Sequence, residues 1–209
     1  MKRKEWLFLL LLLAVGLALR MNHLSERSLW TDEFFTLFQS TGHGADIKVL
    51  MDSLAKDKEL RLLSAGDFKV FVRSDPAKHL ADVIRGVFST DTHPPFYFGI
   101  IYLWMRLFSG THLAVRLFSV LMGIAAILLA YQLGGCLFSK REGFFCAIFV
   151  SVSAFCVRYA QEARSYSLVM ALGLASSLLL LRLERHDKKS DGLLFLIVNA
   201  LGIYTHYFY

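Results

Sequence analysis

Asp32 and Glu33 stand side by side after Trp30-Thr31 and before Phe34-Phe35, with Leu37-Phe38 following. Two adjacent carboxylates are costly to place beside an aromatic run at a membrane surface, so the pair points to a catalytic or metal-binding role. The same residues also read as a helix start, with Thr31 as cap and the acids at the positive end. His93 precedes Pro94-Pro95. Two prolines fix the chain and start a helix, which holds the imidazole rigidly; a stiff corner with an exposed histidine is the plainer reading. Arg116, Arg158 and Arg164 border apolar runs. There a guanidinium fork can grip the phosphate of a lipid-linked substrate or snorkel to headgroups. Glu162 is close enough in sequence to pair with Arg164. Tyr166 follows, and His206 and Tyr207 belong to the aromatic stretch 204–209, where an interfacial belt is the alternative.

These residues need elements to position them, and the composition says which kind. Hydrophobic residues make up 56% and charged ones 19% of the 209, against about 45–50% and about 25% in soluble domains. The excess is gathered into long uncharged runs, which excludes an ordinary soluble domain and a disordered chain. The net charge of +6 comes from basic residues beside those runs, a mark of membrane orientation and not of nucleic-acid binding. Cys136, Cys146 and Cys156 all fall inside apolar runs without metal-ligand spacing, and read as small core or lipid-facing residues.

A crossing needs about 20 apolar residues. Five runs serve: 6–20, 117–139, 143–160, 165–181 and 192–209. The first reads as an uncleaved anchor, although its basic start and Gly16-Leu17-Ala18 also suit a signal peptide. Residues 94–108 are too short to cross and are expected to lie at the interface on Phe96, Tyr97, Phe98, Tyr102 and Trp104. With that choice Lys2-Arg3-Lys4, Lys140-Arg141 and the Arg182/Arg185/Lys188/Lys189 loop all fall in the cytoplasm. Parity then collects Asp32, His93, Glu162, Arg164 and His206 on one outer face.

The expected architecture is therefore all-α and polytopic. About five transmembrane helices accompany an extracytoplasmic loop, 21–115, with amphipathic juxtamembrane helices; 116–209 makes the other four crossings. Within the loop, Ile47, Leu50, Met51 and Leu54 repeat at helical spacing after Asp46. So do Leu80, Val83, Ile84, Val87 and Phe88 after an Asp75-Pro76 start. Phe68, Val70 and Val72 alternate as a short strand would, and Gly42 and Gly44 mark a joint. No phosphate-binding glycine loop, Gly-x-Ser-x-Gly, His-Glu-x-x-His or Cys-x-x-Cys occurs, which argues against a sugar-nucleotide donor.

The ordered set Trp-x-Asp-Glu (30–33), His-Pro-Pro (93–95), Arg-Leu-Phe-Ser-Val-Leu-x-Gly (116–123), Phe-Ser-Lys-Arg-Glu-Gly (138–143) and Tyr-Ala-Gln-Glu-Ala-Arg-Ser-Tyr (159–166) resembles the protein-mannosyltransferase-like membrane glycosyltransferases. These are GT-C enzymes of family 39 and its bacterial relatives. The resemblance implies a single GT-C-like domain over 1–209 and a polyprenyl-phosphate sugar as donor. It implies inverting transfer to a glycan, lipid or protein acceptor hydroxyl on the outer face of the plasma (inner) membrane, with the N-terminus cytoplasmic. It assigns Asp32 as base, Glu33 as its tuning neighbour, and His93, Arg116 and Arg164 to the donor phosphate. The chemistry fits: an attacking hydroxyl needs a positioned base, and a departing phosphate needs cations. Family members are much longer and this chain stops in an apolar run, so an N-terminal portion is expected. No cofactor is certain. Asp32, Glu33, His93, Glu162 and His206 are ligand types for a divalent metal, but their spacing selects no ion. The alternative is a non-catalytic or truncated relative acting as a lipid-binding or scaffold protein; a transporter subunit suits the span-end charges less well.

Overall fold

The computed structural model describes residues 3–56, 65–186 and 188–209. Lys2 of the basic start and residues 57–64 of the loop lie outside the described residues. Among those described, all regular structure is helical. The elements are α1 (Arg3–Met21), α2 (Thr31–Ser40), α3 (Gly44–Lys56), α4 (Ala65–Lys69), α5 (Leu80–Thr90), α6 (Phe96–Leu107), α7 (His112–Leu137), α8 (Lys140–Val152), α9 (Ala154–Ala160), α10 (Tyr166–His186) and α11 (Lys189–Ile203). The chain divides into two compact units, Met1–Arg27 with Arg116–Tyr209, and Ser28–Val115.

The first unit turns its apolar residues outward. Phe149 is 70% exposed and Phe155 68%, with Leu7, Leu11 and Leu196 exposed beside them, a surface that only lipid or another apolar face can cover. Its spans are set by length. α7 has 26 residues and α10 has 21, or about 39 and about 31 Å at the helical rise, enough for a hydrocarbon core of about 30 Å. α8 and α9 together pass as a third span, bent by 57° at their junction. By length and composition this is fewer than the five expected. Among the described residues two helices, or three with the bent pair, are long and apolar enough to cross. α1 carries Arg3, Lys4, Glu5 and Arg20 at its ends. α11 has 15 residues and stops at Ile203, after which 204–209 turns back and the Tyr209 hydroxyl donates to Leu172 O at 3.3 Å.

Small residues let these helices approach. A Cβ on Gly143 would lie 2.5 Å from Tyr131 O, and one on Gly134 would lie 3.0 Å from the Gly143 Cα, so α7 and α8 meet backbone to backbone, as membrane helices do where there is little hydrophobic force between them. Leu12 of α1, Ile127 of α7 and Ala147 of α8 form a buried apolar cluster. Ser176 and Asn199 exchange hydrogen bonds of 2.9 and 3.1 Å between α10 and α11. Cys136 and Cys146 are half-buried, Cys156 is buried, and all three are free thiols.

The second unit is built from amphipathic helices. α2, α3, α5 and α6 bury Leu37, Phe38, Ile47, Val83, Val87, Tyr97, Phe98 and Ile101. α3 and α5 are pressed together at Gly44 and Gly86, where a Cβ on Gly44 would lie 2.9 Å from the Gly86 Cα. Two expectations are corrected here. Phe68 lies in the short helix α4, not in a strand, because its aromatic ring packs on Phe34 at 5.9 Å, a contact that needs no alternation. Asp75-Pro76 does not start α5. The Asp75 carboxylate accepts from Ala77 N at 2.8 Å in a local turn, and α5 begins at Leu80 with Asp82 accepting from His79 N at 2.8 Å.

Candidate functional site

Asp32 and Glu33 occupy the first turn of α2, where the helix dipole favours their negative charge. Thr31 is the first residue of that helix, so it is Trp30 that sits at the cap position, with extended backbone. Glu33 is buried and Asp32 half-buried. One turn later Thr36 Oγ donates to the Asp32 carbonyl at 3.2 Å. A cavity of about 450 Å³ borders this end of α2, lined by Leu29, Trp30, Thr31, Phe34, Phe68 and Lys69 among others. Its size suits a small ligand and its walls are mainly aromatic and aliphatic.

In the same unit His93 stands at the entry to α6, whose start is set by Pro95 at the cap position. Its Nδ1 lies 2.7 Å from Asp91 Oδ1, which also accepts from the His93 backbone N at 2.9 Å. With Nδ1–H given to Asp91, Nε2 is the nitrogen that can accept a proton or a hydrogen bond. Asp91 is the partner of His93 that the sequence reading passed over. Its signal was the Asp-x-His spacing directly after an amphipathic helix.

The first unit holds the remaining candidates. Arg116 lies inside α7, not at its opening, because α7 begins at His112. It is 1% exposed, and its Nη1 donates to Leu24 O at 2.8 Å and Arg27 O at 2.9 Å. This guanidinium therefore braces the chain after α1 as well as carrying charge. One turn along α7, Ser119 Oγ donates to the Arg164 carbonyl at 3.4 Å, so the turn holding Arg164 is tied to the end of α7 that carries Arg116. That turn is tight, with Arg164 N donating to Glu162 O at 2.8 Å.

Glu162 pairs with Arg158 across one turn, Arg158 Nε to Oε1 at 2.7 Å. Arg164, itself buried, sets its guanidinium 5.7 Å from the centroid of the Tyr166 ring, a cation–π distance. Tyr166 in turn lies 6.2 Å from His206, and His206 5.4 Å from Phe208. Arg164, Tyr166 and His206 are thus brought into one chain of contacts, while Tyr207 points away and is 69% exposed. Asp32, Glu33 and His93 belong to the second unit. Among the described residues no group of three or more His, Cys, Asp or Glu side chains is placed to hold a metal.

Apolar helices facing outward, a bent span and buried cations at helix ends define an all-α membrane protein. Residues 92–209 match the family model of the dolichyl-phosphate-mannose-protein mannosyltransferases. That stretch is more than half of the chain, and the chain belongs to this family, which places it among membrane glycosyltransferases. His93, Arg116, Glu162, Arg164, Tyr166, His206 and Tyr207 lie within the matched residues; Asp32 and Glu33 precede them. No curated protein and no solved structure matches the chain.

Proposed function

We propose that this chain takes part in transfer of a sugar from a polyprenyl-phosphate donor to an acceptor hydroxyl on the outer membrane face, with inversion at the anomeric carbon. Membership of the mannosyltransferase family over the stretch that holds His93, Arg116 and Arg164 carries the reading. In it Asp32 takes the proton of the attacking hydroxyl, and Glu33 beside it tunes that carboxylate. Arg116, Arg164 and His93 hold the donor phosphate as negative charge builds on it in the transition state. A protein acceptor is the one the family description names. Departure of a phosphate needs no acid of the glycosidase kind, so the two-carboxylate scheme is not invoked. The topology is five crossings with a cytoplasmic N-terminus, α1 and α11 completing the count. Single cysteines at 93 and 163, in a background without the native three, should label from outside and one at 140 should not; labelling of 163 only from inside would overturn that topology.

The deciding experiment is Asp32→Asn in the full natural chain, assayed with a polyprenyl-phosphate sugar. Transfer should drop by about 10²–10⁴-fold, the usual worth of a positioned base, while membrane insertion is kept. Normal transfer by the variant would remove Asp32 from the mechanism.

A further inference from the structure

In the first unit two buried polar side chains reach past one another across the break between α8 and α9. α8 stops at Val152 because Ser153 turns the chain, with φ −57° and ψ 122°. Such a break strands the last carbonyls of α8, and a bilayer core holds no water to receive them. Arg20, at the end of α1 and fully buried, receives them instead. Its Nη1 donates to Ser151 O and its Nη2 to Val150 O, each at 3.0 Å, and Nη1 also reaches Gly16 O at 3.0 Å. A cation also suits the negative end of a helix.

Gln161, just past α9, makes the return. Its Nε2 donates to Leu19 O at 3.1 Å, a carbonyl that α1 leaves open at its own end, and to Asn22 O at 3.0 Å, just beyond that end. Ser151 Oγ adds a third link, to Leu12 O at 3.2 Å. Gly123 of α7 makes the room: a Cβ there would lie 2.8 Å from Arg20 Nε and 2.9 Å from the Ala160 Cβ. Full burial rules out snorkelling to headgroups as the reason for Arg20.

We propose that Arg20 and Gln161 are positioning residues for sugar transfer. Their exchanged hydrogen bonds lock the angle at the α8–α9 break, and so hold the following Glu162–Arg164 turn where it meets the donor phosphate. The proposal rests on the role given to Arg164 above. α9 has seven residues. Arg20 anchors the carbonyls just before it and Gln161 the turn just after it. Losing either removes two or more of the hydrogen bonds that fix one end of the segment, and leaves that end on the weaker hydroxyl links of Ser151 or Ser119.

Cys156, buried on α9, is a reporter of that lock that does not depend on catalysis. The test uses the full natural chain in lipid nanodiscs, with Cys136 and Cys146 replaced by alanine. Arg20→Ala and Gln161→Leu should each speed maleimide labelling of Cys156 about tenfold or more, as expected for loss of roughly one buried hydrogen bond. Both should lower kcat about 10²-fold, the scale of a misplaced catalytic group, with the acceptor KM unchanged. Arg20→Lys, which keeps a charged donor, should recover part of both. Unchanged labelling in folded Arg20→Ala and Gln161→Leu overturns the lock, and faster labelling with unchanged kcat overturns the positioning role. Should Arg20→Ala not fold, Gln161→Leu carries both readouts alone. A parent chain that transfers no sugar would count against the transferase reading, while the labelling would still judge the lock.

Discussion

The two units satisfy their buried polar groups by different rules. In the first, side-chain donors serve backbone carbonyls at helix ends: Arg20 at the end of α8, Gln161 at the end of α1, and Arg116 on the chain beyond α1. In the second, donors also reach distant loop carbonyls, Thr41 Oγ to Phe71 O at 2.6 Å and Arg106 Nη2 to Lys78 O at 2.9 Å, but other polar side chains pair with one another or close turns locally. His43 and Lys78 both meet Asp46, at 2.7 and 2.6 Å, Asp91 meets His93, and Gln39 donates to Thr90 at 2.7 Å. The difference follows from what surrounds each set of helices. Where apolar side chains face lipid, every interrupted backbone bond needs a donor from inside the protein, because no water is present to supply one. Amphipathic helices with a polar face leave that work to water and spend their side chains on caps and ion pairs.

Breaking the first rule should cost most. Arg116→Met keeps the bulk but frees the Leu24 and Arg27 carbonyls, at about 1–3 kcal/mol for each buried one. Thermal unfolding in detergent should show a large loss of stability; a loss no greater than that of an exposed substitution would mean that the brace at α7 is not needed. Breaking the second rule locally should cost less. Asp82→Ala removes the acceptor for His79 N and should destabilise the second unit by about 1 kcal/mol, read as faster hydrogen exchange in α5.

The smallest effect concerns pH. Burial opposes ionisation of Asp46, but hydrogen bonds and attraction from Lys78 and His43 outweigh it, and its pKa lies below the ordinary carboxylate value. A depressed folded-state pKa means that the stabilisation is present above the unfolded value, about 3.9. It is lost as pH falls through the lower folded value. The Asp46 side chain is 41% exposed, so screening holds the effect under about 1 kcal/mol. Asp46→Asn should therefore lower neutral stability by that amount, under about 1 kcal/mol, and flatten the acid limb of the stability curve below about pH 4, where the two proteins converge. An equal acid slope in both proteins would show that the triad contributes nothing.

Much of this was legible along the chain. The helices α5 and α3 were readable from Leu80, Val83, Ile84 and Val87 and from Ile47, Leu50 and Met51, since helical periodicity is a local property, but of these only Val83, Val87 and Ile47 are buried while Leu80, Ile84 and Met51 stay exposed. The shortness of the Phe96–Leu107 helix was readable from Pro95 and Arg106. The strand at 68–72 was misread because alternation over five residues does not distinguish a strand from a helical turn whose one aromatic finds a partner at Phe34. The α5 start was misread because Asp75-Pro76 and His79-x-x-Asp82 are both start signals, and only packing chose between them. Asp91 was passed over because its importance lies in a 2.7 Å contact with His93 and not in its own surroundings.

The sequence by itself determined that the protein is helical and membrane-embedded, where apolar runs end, and which acids, histidines and arginines stand near those ends. These follow from side-chain chemistry and spacing, which the backbone period converts directly into faces and lengths. Only the tertiary structure decided that the third run breaks at Ser153, that Arg20 and not a nearer residue takes the freed carbonyls, and that Arg116 binds the chain beyond α1. Those bonds join residues more than 80 positions apart. No local pattern encodes which donor will lie beside which open carbonyl; that is settled when the helices close on one another at glycines such as Gly123 and Gly143.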